Sequence, residues 1–316
     1  MGDVANLSTA LLEQIYGSHE AMHAFGRLVV SRAMGKAGSG VTTITLTDAS
    51  YARAFLNFVH VTTNVSATTP AVLALDAETK CAMDHLGVAV VRVWRPAGWD
   101  RDRWFLVLKT HPIMMALERG VRVIFSEMDC FWLRDPLDWL QIRVVSEPKC
   151  NGCREPADML VEQHRFERLG EPNYGFFIVN STIETIRWCR GLLSWALSEH
   201  FESKMDQKVW YFALAGVNNK TEGAAYRAGG IAESALQHRL RFNHIPYEAL
   251  PHFGRFNGGP KIRTADIHFV RSHAPFAIHM WGNAGQQRIG KAAQMGSLFI
   301  DDVSTAGGCN HTSNYT

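Results

Sequence analysis

The chain of 316 residues is 47% hydrophobic and 20% charged, enough for a sizeable core in one large α/β domain or two small ones. Its net charge of +2 gives no electrostatic case for a nucleic-acid or strongly acidic partner, and no run of about 18 apolar residues marks a membrane span. The N-terminal stretch MGDVANLSTALLEQIYG has no basic flank before an apolar core, so no signal peptide is expected, and Asn6 stands where a myristoylation motif needs Ser or Thr.

In chain order the expected elements alternate. Leu7 to Met34 has a helical pattern with Ser8 as its N-cap, ending in the glycine-rich break at 35–40. VTTITLT (41–47) is a β-branched strand, and Ala49 to His60 is helical. AVLALD (71–76) is a strand, Glu78 to Leu86 a helix and VAVVRV (88–93) a strand. Trp104 to Arg119 forms a helix that stops at Gly120, and VRVIFS (121–126) is the next strand. Strands of near-continuous apolar character separated by such helices imply βαβ units and a parallel sheet covered on both faces. Beyond Cys150 the rhythm loosens. GFFIVN (175–180) is a strand, Thr182 to His200 and Met205 to Ala215 are helices, and FAIHM (276–280) is a late strand. No Pro/Gly linker demands a split, so a single domain is expected over 1–316. It comprises an N-terminal helix (1–40), an α/β half (41–145), an elaborated half (146–295) and a tail (296–316).

Six cysteines are too few for a disulfide scaffold at this length. Cys150 and Cys153 form the one close pair, open to a disulfide, a redox pair, two separate thiols or half a zinc site with no second half in view. Asn-x-Ser/Thr sequons stand at Asn6, Asn64, Asn180, Asn219, Asn310 and Asn314, where chance gives about one or two. That excess points to a Golgi or secretory lumen; Asn180, at the end of an apolar strand, is expected to be buried. No anchor is visible, so the chain is expected to be a catalytic domain cut from one, the alternative being a cytoplasmic protein.

The chemistry is expected where the fourth strand ends. VRVIFSEMDCFWLRDP carries an apolar run into Glu127 and Asp129, and ligands of open parallel sheets bind at the carboxyl ends of strands. On extended backbone at i, i+2 the two carboxylates point the same way, and they repel unless a proton or cation lies between them. Mg²⁺ or Mn²⁺ with substrate phosphates would satisfy them. The plainer alternative is that they cap a helix or meet Arg134.

FSEMDCFWLRDP resembles the Asp-x-Asp segment of nucleotide-sugar glycosyltransferases of the GT-A fold. It is most similar to glycosyltransferase family 77 within the nucleotide-diphospho-sugar transferases. Trp132, Leu133, Arg134, Asp135 and Pro136 match that pattern residue for residue, and Asp129 matches its last acid; Glu127 replaces the first Asp. VTTITLTDASYARAFLNFV (41–59) resembles the nucleoside-holding first strand and helix, with Thr47 at the strand's end. Lys109 matches a recurrent lysine, NYGFFIVNST (173–182) the strand of the sugar pocket with Asn173 and Gly175, and KMDQKVW (204–210) the Asp-Gln motif. IHMWGNAGQQRIGK (278–291) resembles the late His-x-x-Gly segment. The motifs cover about residues 41–295 in the family's order.

The resemblance implies a GT-A type, Rossmann-like mixed and mostly parallel sheet flanked by helices. It also implies a retaining transferase that moves a sugar from a nucleotide diphosphate, typically a UDP-sugar such as arabinose, xylose or galactose, to an acceptor hydroxyl of a glycan or glycoprotein. Glu127, Asp129 and His279 would hold Mn²⁺ or Mg²⁺, the imidazole suiting Mn²⁺ better. Thr47, Lys109, Glu127, Asn173, Gly175, Gly282 and Lys291 would bind the donor, Lys291 neutralising the departing diphosphate. Asp206 and Gln207 would lie at the sugar as the catalytic pair. Trp132 or Trp281 would offer a stacking face. Bland alternatives stand beside these: Lys109 and Lys291 as solvated lysines, Asn173 as a turn residue, Asp206 as a helix cap and His279 as a core histidine. Two other functions are open on the residues alone. One is a metal-dependent phosphohydrolase, which would want Asp where Ser126-Glu127 stands. The other is a non-catalytic sugar-nucleotide or glycan-binding module.

Overall fold

The computed structural model describes residues 2–34, 40–64, 70–138, 157–163, 172–198, 210, 214, 240–253 and 264–280. Two helices open the chain, α1 (Gly2–Tyr16) and α2 (His19–Met34), followed by strand β1 (Val41–Thr47). After a short 3-10 turn (Ala49–Tyr51) come α3 (Ala52–Asn64), β2 (Pro70–Ala74), α4 (Ala77–His85), β3 (Val90–Arg92) and α5 (Arg101–Leu117). Then follow β4 (Arg122–Ser126), β5 (Cys130–Trp132), β6 (Met159–Gln163), β7 (Pro172–Val179) and α6 (Ile183–Leu197). The last described elements are β8 (Phe242–Ile245), β9 (His252–Phe253), α7 (Thr264–His273) and β10 (Ala277–Met280).

Seven strands form a mixed, mostly parallel sheet in the order β3-β2-β1-β4-β7-β6-β8. The pairs β3·β2, β2·β1, β1·β4 and β6·β8 are parallel, and β7 runs antiparallel to both β4 and β6. A second, three-stranded sheet has the order β5-β10-β9, with β10 antiparallel to β5 and parallel to β9. The α/β expectation therefore holds, and its physical cause is visible in β4. Val123 and Phe125 pack into the cluster formed with α1, α2, α5 and α6, while Ile124 between them packs into the opposite cluster with Phe55, Phe58 and Met83. With both faces covered, every second residue is as apolar as its neighbours. β1 solves the same problem differently. All seven of its residues are buried although four are threonines, and Thr45 Oγ1 donates to the carbonyl of Ser126 on β4 (2.7 Å).

Three expectations are corrected. The single helix over 7–34 is two helices, because Gly17 sits at φ +80° and a Cβ there would lie 2.7 Å from the Trp94 ring. Ser18, not Ser8, caps the second one, accepting from the Ala21 amide (3.0 Å), while Ser8 lies inside α1. Asn180 is half-buried, and its Nδ2 donates to the carbonyl of Ala157 (2.7 Å). β5, β6, β8 and β9 were not foreseen, since each is short and three of them carry polar residues inside. The helix expected at 205–215 lies outside the described residues except for Trp210 and Leu214. No helix among the described residues is long and apolar enough to cross a membrane.

Candidate active site

β1 is flanked by β2 on one side and β4 on the other, and the strand order reverses between them. Such a switch point leaves a crevice beyond the carboxyl ends of the two strands. A cleft of about 340 Å³ opens there. Thr47 closes β1 at its wall, with Asp48 and Tyr51 from the turn that follows. That turn is braced by Asp76 at the end of β2. One carboxylate oxygen accepts from the Ala49 amide (2.8 Å) and the other caps α4 through the Thr79 amide (2.7 Å).

The opposite wall comes from α5. Asp100 caps it by accepting from the Arg103 amide (2.7 Å), and the Arg103 guanidinium ties the helix to the carbonyls of Ala196 (2.8 Å) and Ser198 (2.9 Å) at the end of α6. The anchored helix carries Arg101, Phe105 and Lys109 into the cleft. Lys109 is buried, its Nζ 2.5 Å from Glu127 Oε1 and 4.0 Å from the centre of the Tyr174 ring. A buried ammonium requires such partners, since leaving it unpaired costs several kcal/mol or more. The bland reading of Lys109 as a solvated lysine is thereby excluded.

After Ser126 the chain turns rather than continuing extended. The Cys130 amide donates to the Glu127 carbonyl (3.1 Å), and the Glu127 amide to the Gly175 carbonyl (2.7 Å). The i, i+2 geometry expected of an extended strand is thus absent. Glu127 is directed to Lys109, and Asp129 to His279, although both acids line the same cleft. Neither acid pairs with Arg134, whose guanidinium donates to the Ala274 carbonyl.

His279 arrives from the second sheet. β10 pairs with β5 so that His279 faces Cys130, and the Met280 amide donates to the Asp129 carbonyl (2.8 Å). Its Nε2 lies 3.5 Å from Asp129 Oδ1, and its Nδ1 lies 2.7 and 2.8 Å from the two carboxylate oxygens of Glu162. Burial opposes charge on this imidazole, yet Cys130, Glu162 and Asp129 around it hold its pKa well above the usual histidine range. Burial raises the Glu162 carboxyl and pushes the Cys130 thiol up to about 12.

The strand β7 makes room for the ring. Val161 pairs with Phe177 but Glu162 with Asn173, so residues 174–176 bulge out of register. Within the bulge the Gly175 amide donates to Asn173 Oδ1 (2.7 Å). A Cβ on Gly175 would sit 2.5 Å from His279 Cε1, so only glycine lets the imidazole lie here.

Thr47, Lys109, Glu127, Asp129, Asn173, Gly175 and His279 therefore meet in one cleft. Asp206, Gln207, Gly282, Lys291 and Trp281 lie outside the described residues, as do Cys150 and Cys153. Trp132 does not offer a sugar platform. It is fully buried against Phe58 and Phe176, its Nε1 donating to Ser126 Oγ (3.0 Å). Asp135 accepts from the Leu137 amide (2.8 Å), and Pro136 opens a helical turn, a position that suits its fixed backbone. Sequence reasoning missed Glu162 and Cys130. Glu162 carried a signal of the same kind as Glu127, an acid that follows an apolar run.

A divalent ion fits this donor set. Ligand atoms about 2.0–2.3 Å from one ion stand about 3 Å apart or slightly more, and Asp129 Oδ1 and His279 Nε2 are 3.5 Å apart. The group that shares one 4.8 Å neighbourhood is Asp129, Cys130 and His279, with Glu127 outside it. Asp129 offers a carboxylate oxygen to such an ion, His279 an imidazole nitrogen and Cys130 a sulfur.

The profile of nucleotide-diphospho-sugar transferases matches residues 67–295. No curated protein matches the chain. Similar solved structures include the apo bifunctional glycosyltransferase WbbM (TM-score 0.41, 12% identity, covering 80% of this chain). The chain spans about half, 49%, of that protein's length. Mouse xyloside xylosyltransferase 1 is similar over 77% of this chain and 98% of its own (TM-score 0.41, 10% identity). A glycosyltransferase involved in glycosylation of the major capsid of PBCV-1 is similar over 79% and 98% (TM-score 0.40, 10% identity).

Proposed function

The chain belongs to the nucleotide-diphospho-sugar transferase family, and from that premise we propose that it is a metal-dependent glycosyltransferase acting on a glycan or glycoprotein hydroxyl. The observation that carries the reading is the meeting of Asp129, from the turn between β4 and β5, and His279, from the second sheet, 3.5 Å apart in the switch-point cleft. The donor is a nucleotide diphosphate sugar, a UDP-sugar such as arabinose, xylose or galactose. Transfer retains configuration, as in glycosyltransferase family 77.

Asp129 and His279 hold Mn²⁺ or Mg²⁺, with Glu127 in reach of the same cleft. When bound, that ion supplies positive charge against the diphosphate as it leaves. The remaining work belongs to the chain's own residues. Thr47 and the Asp48–Tyr51 turn line the nucleoside side. Lys109 fixes Glu127 in place, so that the carboxylate is oriented before a donor arrives. Asn173 and Gly175 hold the wall on which the sugar lies. Asp206 and Gln207 stand at the sugar, and Gly282 and Lys291 at the diphosphate, by family resemblance. The division into a nucleotide half (41–145) and an acceptor half (146–295) goes with these roles. Lumenal residence in the secretory pathway is supported by the sequons and by the disulfide bond at Cys81.

The test is a panel of nucleotide sugars with Mn²⁺, scored for release of nucleoside diphosphate. Release with at least one donor, abolished by EDTA and restored by Mn²⁺, is expected. Asp129→Ala and His279→Ala, with circular dichroism unchanged, should each lower turnover by about 10²–10³-fold. Silence with every donor would overturn the reading, and full activity in either variant would overturn the metal assignment.

A further inference from the structure

We propose that Glu162 is a positioning residue that locks the imidazole of His279 in the tautomer and orientation needed to ligate the metal through Nε2. The inference rests on the metal site proposed above and adds a group outside its ligand set. Glu162 is completely buried, 117 residues from His279 in sequence, and on a strand that does not pair with β10. Both of its carboxylate oxygens lie against one ring nitrogen, Nδ1, at 2.7 and 2.8 Å. An ionised carboxylate only accepts. The arrangement therefore keeps a ring proton on Nδ1 whether the ring is charged or neutral, and leaves Nε2, 3.5 Å from Asp129, as the nitrogen that gives up its proton when a metal binds. Metal-binding histidines commonly carry a carboxylate on their second nitrogen, which fixes the ring and raises its basicity.

The fold is shaped around this contact. The register shift between Val161 and Glu162 bulges β7 out over residues 174–176. The bulge brings Gly175 against the ring, where a Cβ would be 2.5 Å from Cε1. The ring is thus confined at Cε1 by backbone and held at Nδ1 by Glu162. A bare hydrophobic-core histidine needs neither a buried charge nor a glycine. Burying a carboxylate without a role is costly.

Mn²⁺ affinity, measured by electron paramagnetic resonance on the full chain, separates the possibilities. Glu162→Ala should weaken Mn²⁺ binding by about 10–100-fold. Glu162→Gln, which keeps a carbonyl acceptor of the same length, should recover part of that loss, which a purely structural role would not require. Unchanged Mn²⁺ affinity in folded Glu162→Ala overturns this inference while leaving the metal site intact; no Mn²⁺ binding by the wild type overturns the metal site itself. Nitrogen-15 spectra of the wild type, with labelled imidazole, give a second reading that needs neither a variant nor turnover. For the neutral His279 ring a proton on Nδ1 is expected, and a proton on Nε2 overturns the inference.

Discussion

His111 shows how one buried side chain can set a pH dependence. It lies in α5, its Nδ1 hydrogen-bonded to the Tyr16 hydroxyl (3.0 Å), and is 4% exposed. Burial first, and then the nearby His23, lower its pKa from 6.5 to about 3. The unfolded chain takes up this proton below about 6.5 and the folded chain does not until about 3. In that window the unfolded state binds more protons, so stability falls as pH falls, by about 1.4 kcal/mol per pH unit at most. Urea unfolding should lose about 2 kcal/mol of stability from this residue between pH 7 and pH 5. In His111→Asn, whose side-chain oxygen can still accept from Tyr16, that share of the pH slope should vanish. An identical slope in both proteins would remove His111 as its source.

Elements hold the site where single residues could not. The turn after β1 and the start of α4 share one carboxylate, that of Asp76, which accepts from Ala49 and Thr79. Asp76→Ala removes a helix cap and a loop brace together. It should cost about 1–2 kcal/mol in chemical denaturation. Because the braced turn lines the cleft, KM for the donor should rise more than kcat falls; a variant with wild-type stability and KM would show the brace to be idle. Elements also mark where sequence patterns stopped being informative. The β1-to-β4 rhythm was legible because each strand is flanked by helices and built mainly from apolar or β-branched residues. The break between α1 and α2 was not, since the cause is a Trp94 ring 77 positions along the chain that occupies the space of a Gly17 Cβ. The turn at 127–130 was likewise hidden: its hydrogen bonds go partly to Gly175 on β7, which redirects Glu127 from Asp129 to Lys109.

At the scale of the molecule the site is a junction. The seven-stranded sheet contributes Glu162 and Gly175, the three-stranded sheet His279, and the turn between β4 and β5 both Glu127 and Asp129. An ion bound by Asp129 and His279, as proposed, would tie the turn after β4 to the second sheet, so its binding should stabilise the whole fold. At about one hundred times its dissociation constant, Mn²⁺ should add about 2.7 kcal/mol and raise Tm by roughly 5 °C in calorimetry. The shift should disappear in Asp129→Ala; a shift that persists there would place the ion elsewhere.

The sequence by itself determined the alternation of strands and helices and the delivery of acids to the end of β4. These depend on periodicity and on which residue types tolerate burial, both local properties. It also marked Asp129 by its setting, and Lys109 and His279 through the family resemblance. Only the tertiary structure decided which groups meet. Lys109 closes on Glu127, Glu162 on His279, and Cys130 comes to face the same ring. Those contacts are fixed by strand register, a bulge in β7 and the pairing of β10 with β5. Each joins residues far apart in the chain, and no local pattern encodes the distance between them.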